Sequence, residues 1–194
     1  FRRLEVFILF NVSITSPIPE DIFIANRMLN QIDIIQSNLS NVWELKTNAK
    51  EPLILNLSYN RLTNITTMNA EMFTAINNEI SHLHVRKITI SVGVDNNFLA
   101  TISCDKNSKV VAIFARNNSL IDLQCIRQMK NLKNLNVKAN KFEKFSIEDF
   151  ENLKKLERLD VSHNPLMMLN AKVFDQLREL KFLDIDEFSC CREE

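Results

Sequence analysis

The chain has 194 residues, 45% of them hydrophobic and 25% charged, with 43 Leu plus Ile and 13 Phe, a composition that argues against disorder and against a membrane span within these residues. A chain of this length buries about two-thirds to three-quarters of its unfolded surface as one domain or a small pair. Its 24 basic residues balance 24 acidic ones, which removes the positive field of a nucleic-acid or anionic-membrane binder, and a single glycine, Gly93, excludes glycine-rich phosphate cradles and the Gly-x-Ser-x-Gly nucleophile elbow.

Asparagine is the anomaly at 24 residues, since turns ordinarily draw on Gly and Pro as well. The excess points to internal repetition, and two copies offset by 24 residues, Leu132 to Phe142 and Leu156 to Leu166, share the frame L-x-x-L-x-L-x-x-N-x-L. From the N-terminus, Leu4, Phe7, Leu9 and Ile14 fit it with Val12 at the Asn position. Leu29, Ile32, Ile34, Leu39 and Val42 follow with Ser37 there, then Leu55, Leu57, Asn60, Leu62 and Ile65. Residues 66 to 81 lack the frame. Met68, Met72, Phe73, Ile76 and Ile80 recur there at helical spacing, which predicts a helix near 69 to 80 on a long convex excursion. A degenerate extra repeat opened by Ile80, Leu83 and Val85 is the alternative. A strand is expected over Ile88 to Val94, with Asn97 at the Asn position, and Val110, Ile113, Ala115, Asn118 and Leu120 lead into the two clear copies. Leu180, Leu183 and Ile185 open a last one.

Repeats thus start near 4, 29, 52, 89, 110, 132, 156 and 180, about eight in all, with one irregular interval. A second apolar signal precedes several starts, at Phe23, Ile126, Phe150 and Phe174 and then Met129, Leu153 and Leu177. A period of about 20 to 29 residues in this frame is that of a leucine-rich repeat solenoid, an α/β fold with parallel strands along a concave face. The expected domain is 1–188, with 189–194 starting a C-terminal cysteine flank. A short strand turns one apolar face inward and the Asn side chain bonds neighbouring main chain; neighbours supply the stability because no repeat buries its own apolar face. Phe1 enters a repeat directly, without initiator Met, signal peptide or cysteine cluster, so an N-terminally trimmed fragment is expected.

Cys104 and Cys125 each lie seven residues beyond an Asn position. Equivalent positions of adjacent coils stack roughly 5 Å apart, within disulfide reach; a Cys104–Cys125 bridge is expected, with two buried thiols as the alternative. Cys190 and Cys191 sit where the repeats end. Asn-x-Ser/Thr sequons occur at Asn11, Asn38, Asn56, Asn64 and Asn117 and, with the cysteines, favour an oxidising, extracellular setting. No catalytic set emerges, because His82, His84 and His163 lack cysteine or carboxylate at metal-ligand spacing. No cofactor, metal site or enzymatic activity is expected.

Positions six, four and two before the Asn position face the concavity. Val6, Ile8 and Phe10 make its first third apolar, as a contact site would be unless preceding residues cover them, and the rest is polar and charged. Phe114 beside Arg116 and Lys138 is a second candidate, since aromatic and Arg side chains dominate binding hot spots.

The segments Leu132 to Asn140 and Leu156 to Asn164, with Phe150, Phe174 and the Cys190–Cys191 pair, resemble those of animal extracellular leucine-rich repeat proteins, most of all the insect immune members and particularly the mosquito leucine-rich repeat immune proteins. The resemblance implies secretion into hemolymph, a role in innate immunity, a disulfide link to another leucine-rich repeat chain and association with a complement-like thioester protein. Toll-type receptor ectodomains are similar as well, with a membrane span that would lie beyond Glu194. An intracellular leucine-rich repeat interaction subunit is the competing class, with free thiols and unused sequons. Intact mass of the protein made through a secretory pathway separates these classes: glycosidase treatment and reduction should each change the mass, and four free thiols with no glycan would refute secretion.

Overall fold

A computed structural model describes residues 2–40, 47–49, 53–65, 70–105, 108–167 and 171–185. Its strands, in chain order, are β1 (Val6–Phe10), β2 (Gln31–Ile35), β3 (Ile54–Asn56), β4 (Asn64–Ile65), β5 (Ala70–Thr74), β6 (His82–Val85), β7 (Ile88–Gly93), β8 (Thr101–Cys104), β9 (Ala112–Phe114), β10 (Asn134–Asn136), β11 (Arg158–Asp160) and β12 (Phe182–Asp184). Nine of them form one parallel sheet in the order β1-β2-β3-β5-β7-β9-β10-β11-β12, and β4, β6 and β8 form a second, three-stranded parallel sheet. This is the leucine-rich repeat solenoid that the frame predicts. Helix is minor among the described residues: one α-helix, α1 (Ile147–Phe150), and two 3-10 turns at Ile126–Gln128 and Ala171–Phe174.

The irregular interval departs from expectation. No helix forms over its described residues; β5 lies there instead, with Asn78 at the Asn position. Ile54 pairs with Met72 and Met72 with Ser91, so the expected long coil is two short ones advancing by 18 and 19 residues. The helical spacing misled because it joins side chains from opposite faces. Phe73 and Ile80 are buried, while Met72 is exposed on the concave face and Ile76 half-buried. Neighbouring strands supply the backbone partners that make Ala70–Thr74 extended, a tertiary choice that overrides local periodicity. The alternative of an extra repeat holds, since β5 adds a coil, but Ile80, Leu83 and Val85 do not open it: Leu83 and Val85 belong to β6 and seal the core from the convex side, 3% exposed each.

Coil length decides what closes the convex side. The short coils between Leu62 and Cys104 return through β4, β6 and β8. The 24-residue coils have room for a helical turn and stack a row of rings, buried Phe142, Phe145 and Phe150 and half-buried Phe174, with successive centroids 5.1, 5.3 and 5.5 Å apart. Ile126, Met129, Phe150 and Leu153 are all buried, as the second apolar signal predicts.

Each ladder Asn does two jobs. The Asn140 side-chain Nδ2 donates to Val137 O (2.9 Å) and Lys138 O (3.2 Å) in its own coil and to Ala115 O (2.9 Å) in the preceding one, while its Oδ1 accepts from Leu120 N (3.0 Å). Asn60, Asn97, Asn118 and Asn164 repeat this pattern. Ser37, in an Asn position, reaches less far: its hydroxyl donates to Ile35 O at 2.8 Å and accepts from Val12 N at 3.3 Å.

The residue just before each ladder position is left-handed: Asn11, Gln36, Tyr59, Asn77, Asn96, Asn117, Ala139 and His163 all have φ between 52° and 59°. Half are Asn, which tolerates this conformation, so the Asn excess has a second source beside the ladder.

Three substitutions test this account by thermal denaturation. Leu156→Ala, emptying a fully buried site between two coils, should cost about 2 to 5 kcal/mol. Asn140→Ala should cost about 1 to 3 kcal/mol by orphaning buried main chain. Ala139→Gly should instead stabilise by about 0.5 to 1 kcal/mol, since it relieves a left-handed Ala. Neutral outcomes for the first two would place the ladder elsewhere.

Candidate functional site

The nine-stranded sheet presents three columns of side chains to the concave surface. The first runs Val6, Gln31, Ile54, Met72, Ser91, Ala112, Asn134, Arg158, Phe182, and the second Ile8, Asp33, Asn56, Thr74, Gly93, Phe114, Asn136, Asp160, Asp184. The third column lies two residues further along each chain segment, from Phe10 to Ser162. Met72, Thr74 and Ile76 form a row that the sequence reading lacks. The signal for it was present, because Phe73, Ala75, Asn78 and Ile80 obey the frame with Ala in place of Leu.

Ile8 and Phe10 stand at the β1 end, 58% and 62% exposed. With Val6, also exposed, they form an apolar strip along β1, and Ile54 and Met72 are exposed further along the face. Gln31 and Asp33 on β2 and Asn56 on β3 make the N-terminal third mixed, where the sequence predicts an apolar surface.

Arg116 is differently placed from a free hot-spot cation. Its Nε and terminal nitrogen donate to Asp95 Oδ2 at 2.9 and 2.7 Å, and its backbone N donates to Asp95 Oδ1 at 2.7 Å. The Asp95 side chain is only 4% exposed, so the guanidinium covers it and its charge is matched. The bonds to Asp95, and then its charge, raise the Arg116 pKa above the usual value.

Phe114, 40% exposed, stands apart from that pair at the edge of a pocket of about 320 Å³ over β9 to β12. Asn134, Asn136, Arg158, Asp160 and Phe182 complete its rim, with Leu135 and Leu159 also lining it. Lys138 is half-buried on the same strand segment but does not line the pocket. Asp160 accepts from Asn136 Nδ2 (2.9 Å) and Ser162 Oγ (2.7 Å). At one edge Glu157 ties three coils together: its Oε1 accepts from Lys133 and its Oε2 from Lys181, each at 2.8 Å. Those two bonds, with the lysine charges behind them, hold its carboxyl at about 2.

The sequons lie on different surfaces. Asn56 is half-buried on β3 in the concavity, and its Oδ1 accepts from the Ser58 hydroxyl at 2.7 Å. Asn11, Asn38, Asn64 and Asn117 are exposed; Asn64 begins convex strand β4, and Asn117 Nδ2 donates to Asn96 Oδ1 at 2.9 Å. Cys104 and Cys125 form a disulfide with Cα atoms 5.8 Å apart, joining adjacent coils on the far side from the concave sheet. Cys190, Cys191 and Asp186 lie outside the described residues.

On the convex sheet, His84 Nδ1 is 2.8 Å from Ser103 Oγ and its Nε2 is 3.4 Å from Asp105, whose other oxygen is 3.6 Å from Arg86 Nε. The Ser103 hydroxyl also lies 3.3 Å from Leu83 O, and His82 Nδ1 is 2.9 Å from the hydroxyl of Ser81. His163 holds a left-handed turn position. Among the described residues no group of three or more His, Cys, Asp or Glu is placed to hold a metal ion, and no helix is long and apolar enough to cross a membrane.

Residues 130–187 match the Leucine rich repeat family. Among solved structures, the leucine-rich repeat domain of APL1B superimposes with a TM-score of 0.73 at 23% identity, covering 88% of this chain and 51% of that one. TLR13, in its complex with ssRNA13, gives 0.66 at 19% identity over 85% of this chain and 26% of its own. The internalin InlF of Listeria monocytogenes gives 0.59 at 18%, over 85% and 56%. The chain therefore spans about half the length of the APL1B domain and less of TLR13. No curated protein sequence matches it significantly. The likeness is one of fold, that of a leucine-rich repeat solenoid.

The Glu157 clamp gives a pH dependence with a definite sign. Its folded pKa, about 2, lies below the ordinary 4.5, so its contribution is complete above about pH 4.5 and is lost as the pH falls towards 2. Glu157→Gln should lower the melting temperature at pH 7, and the difference from wild type should shrink as the pH falls through about 2 and vanish below it. A difference that stays unchanged down to pH 2 would show that the clamp acts other than through charge.

Proposed function

We propose that the chain is a secreted leucine-rich repeat recognition scaffold of innate immunity, binding protein partners across its concave face. The carrying observation is that exposed Phe114 and Phe182, with Arg158, stand around a pocket on a sheet whose strands are locked by the Asn ladder. Aromatic and Arg side chains held rigidly around a partly desolvated recess are the usual composition of a binding hot spot. Phe10 and Ile8 extend the surface towards β1. The disulfide and five sequons, four of them exposed, support an oxidising, extracellular compartment, in hemolymph by the family resemblance. That resemblance supplies the partner classes: a complement-like thioester protein and a second leucine-rich repeat chain linked through the C-terminal flank of Cys190 and Cys191. A Toll-type receptor ectodomain is the second reading, favoured by the TLR13 superposition.

Asn56 decides how a partner approaches, because it stands in the same column as Phe114, three strands or about 14 Å away. A glycan there fills the concavity and sends the partner to an edge, the convex side or the C-terminal flank. With Asn56 vacant, as peptide mapping would establish, Phe114→Asp should weaken partner binding by more than about 2 kcal/mol. Unchanged affinity under those conditions would remove the concave face from the binding site.

A further inference from the structure

We propose that the Phe114–Phe182 pocket is a receptor for a basic side chain, Lys or Arg, projecting from the partner protein; this rests on the concave face being the binding face. The argument is one of unmatched charge. Asp160 and Asp184 are register partners on adjacent parallel strands, about 4.8 Å apart at the backbone. Asp160 is bonded by neutral donors, the Asn136 amide and the Ser162 hydroxyl, and among the described residues the Asp184 carboxylate has no hydrogen-bond or ion-pair partner. Like charges so placed repel.

Among the described residues no cation nearby pairs with them. Arg116 is bonded to Asp95 and attracts Asp160 only weakly, at longer range. Arg158, on the same strand as Asp160, forms no ion pair among the described residues; its guanidinium lies over the Phe182 ring, 5.8 Å from the centroid. That contact shows that the pocket's own aromatic wall accepts a guanidinium. The opposite wall, Phe114, holds no cation among the described residues. Between the two rings the neighbouring strands carry the short side chains Asn134, Asn136 and Asp160, with Arg158 turned aside over Phe182, so the recess stays open on the Phe114 side. An entering Lys or Arg would pack its apolar stem against Phe114 and set its charged end over Asp160, with the Asn134 and Asn136 carbonyl oxygens as further acceptors. Arg158 opposes it by charge and competes for Phe182, so it tunes the affinity downward.

The test uses the intact chain, isotope-labelled for NMR, and three blocked amino acids as probes: N-acetyl-arginine methylamide, its neutral isostere N-acetyl-citrulline methylamide, and N-acetyl-glutamate methylamide. The arginine probe should shift the Asn134 and Asn136 side-chain amide signals saturably, with the citrulline probe at least tenfold weaker and the glutamate probe weaker still. Asp160→Asn should weaken the arginine probe by about tenfold, Asp184→Asn, whose carboxylate lies beside the pocket lining and acts on it by charge alone, by about threefold, and Arg158→Leu should strengthen it severalfold. Asp184 makes no side-chain bond, so its variant keeps the test valid if Asp160→Asn unfolds the strand. Equal binding of arginine and citrulline, no saturable shift, or indifference to Asp184→Asn overturns the proposal. Preference for the glutamate probe, weakened by Arg158→Leu, overturns it in favour of an acidic ligand. If partner affinity ignores Phe114→Asp while the probe pattern holds, the concave-face reading has failed and the pocket chemistry has not.

Discussion

The structure depends on one carboxamide used repeatedly. A ladder Asn bonds the main chain of its own coil and that of the coil before it, so each coil from Asn60 to Asn164 is registered on its neighbour by the same group that ends its strand. Buried main-chain groups that a sharp turn would leave unpaired are thereby satisfied, and removing the carboxamide orphans several at once. The amide cannot be replaced in kind by a hydroxyl. Ser37 supplies one donor and accepts one bond, while Asn60 from the next coil caps the Ser37 and Leu39 amides at 2.9 and 3.0 Å just as Asn164 caps those of Asn140 and Phe142.

The ladder leaves coil length free, and coil length then shapes the rest. A short coil has too few residues to make a helical turn on its return path, so its convex segment stays extended and pairs with the neighbouring segments as β4, β6 and β8. The longer coils near the C-terminus reach further out and fill the added space with Phe rings, which pack edge-on or offset along the stack. The disulfide lies where these regimes meet, holding β8 to the first coil that closes with a 3-10 turn.

Charge on the concave face follows from the same geometry. Identical columns stacked at strand spacing force every side chain to live beside its register partners. Asp95 and Arg116 resolve that constraint by pairing, as do Glu157, Lys133 and Lys181 at the edge. Asp160 and Asp184 do not, and the neutral composition of the whole chain conceals this local imbalance. A net charge of zero argues against long-range steering but says nothing about a pocket a few ångströms across.

The frame of Leu, Ile and Asn determined the solenoid, its inward residues, its concave columns and the spacing that lets Cys104 meet Cys125, because each is a local consequence of period and strand alternation. Only the tertiary structure decided the conformation of Ala70–Thr74, since a five-residue segment takes its hydrogen bonds from strands on either side and its helical spacing carries no information about them. It also decided that Arg116 is matched by Asp95 whereas Arg158 turns to Phe182, and that Phe114 belongs with Phe182 rather than with Lys138. Those pairings join residues 21, 24 and 68 positions apart in the chain. Their choice depends on which neighbours the stacked coils bring within a few ångströms, a property of the assembled sheet and of no single repeat.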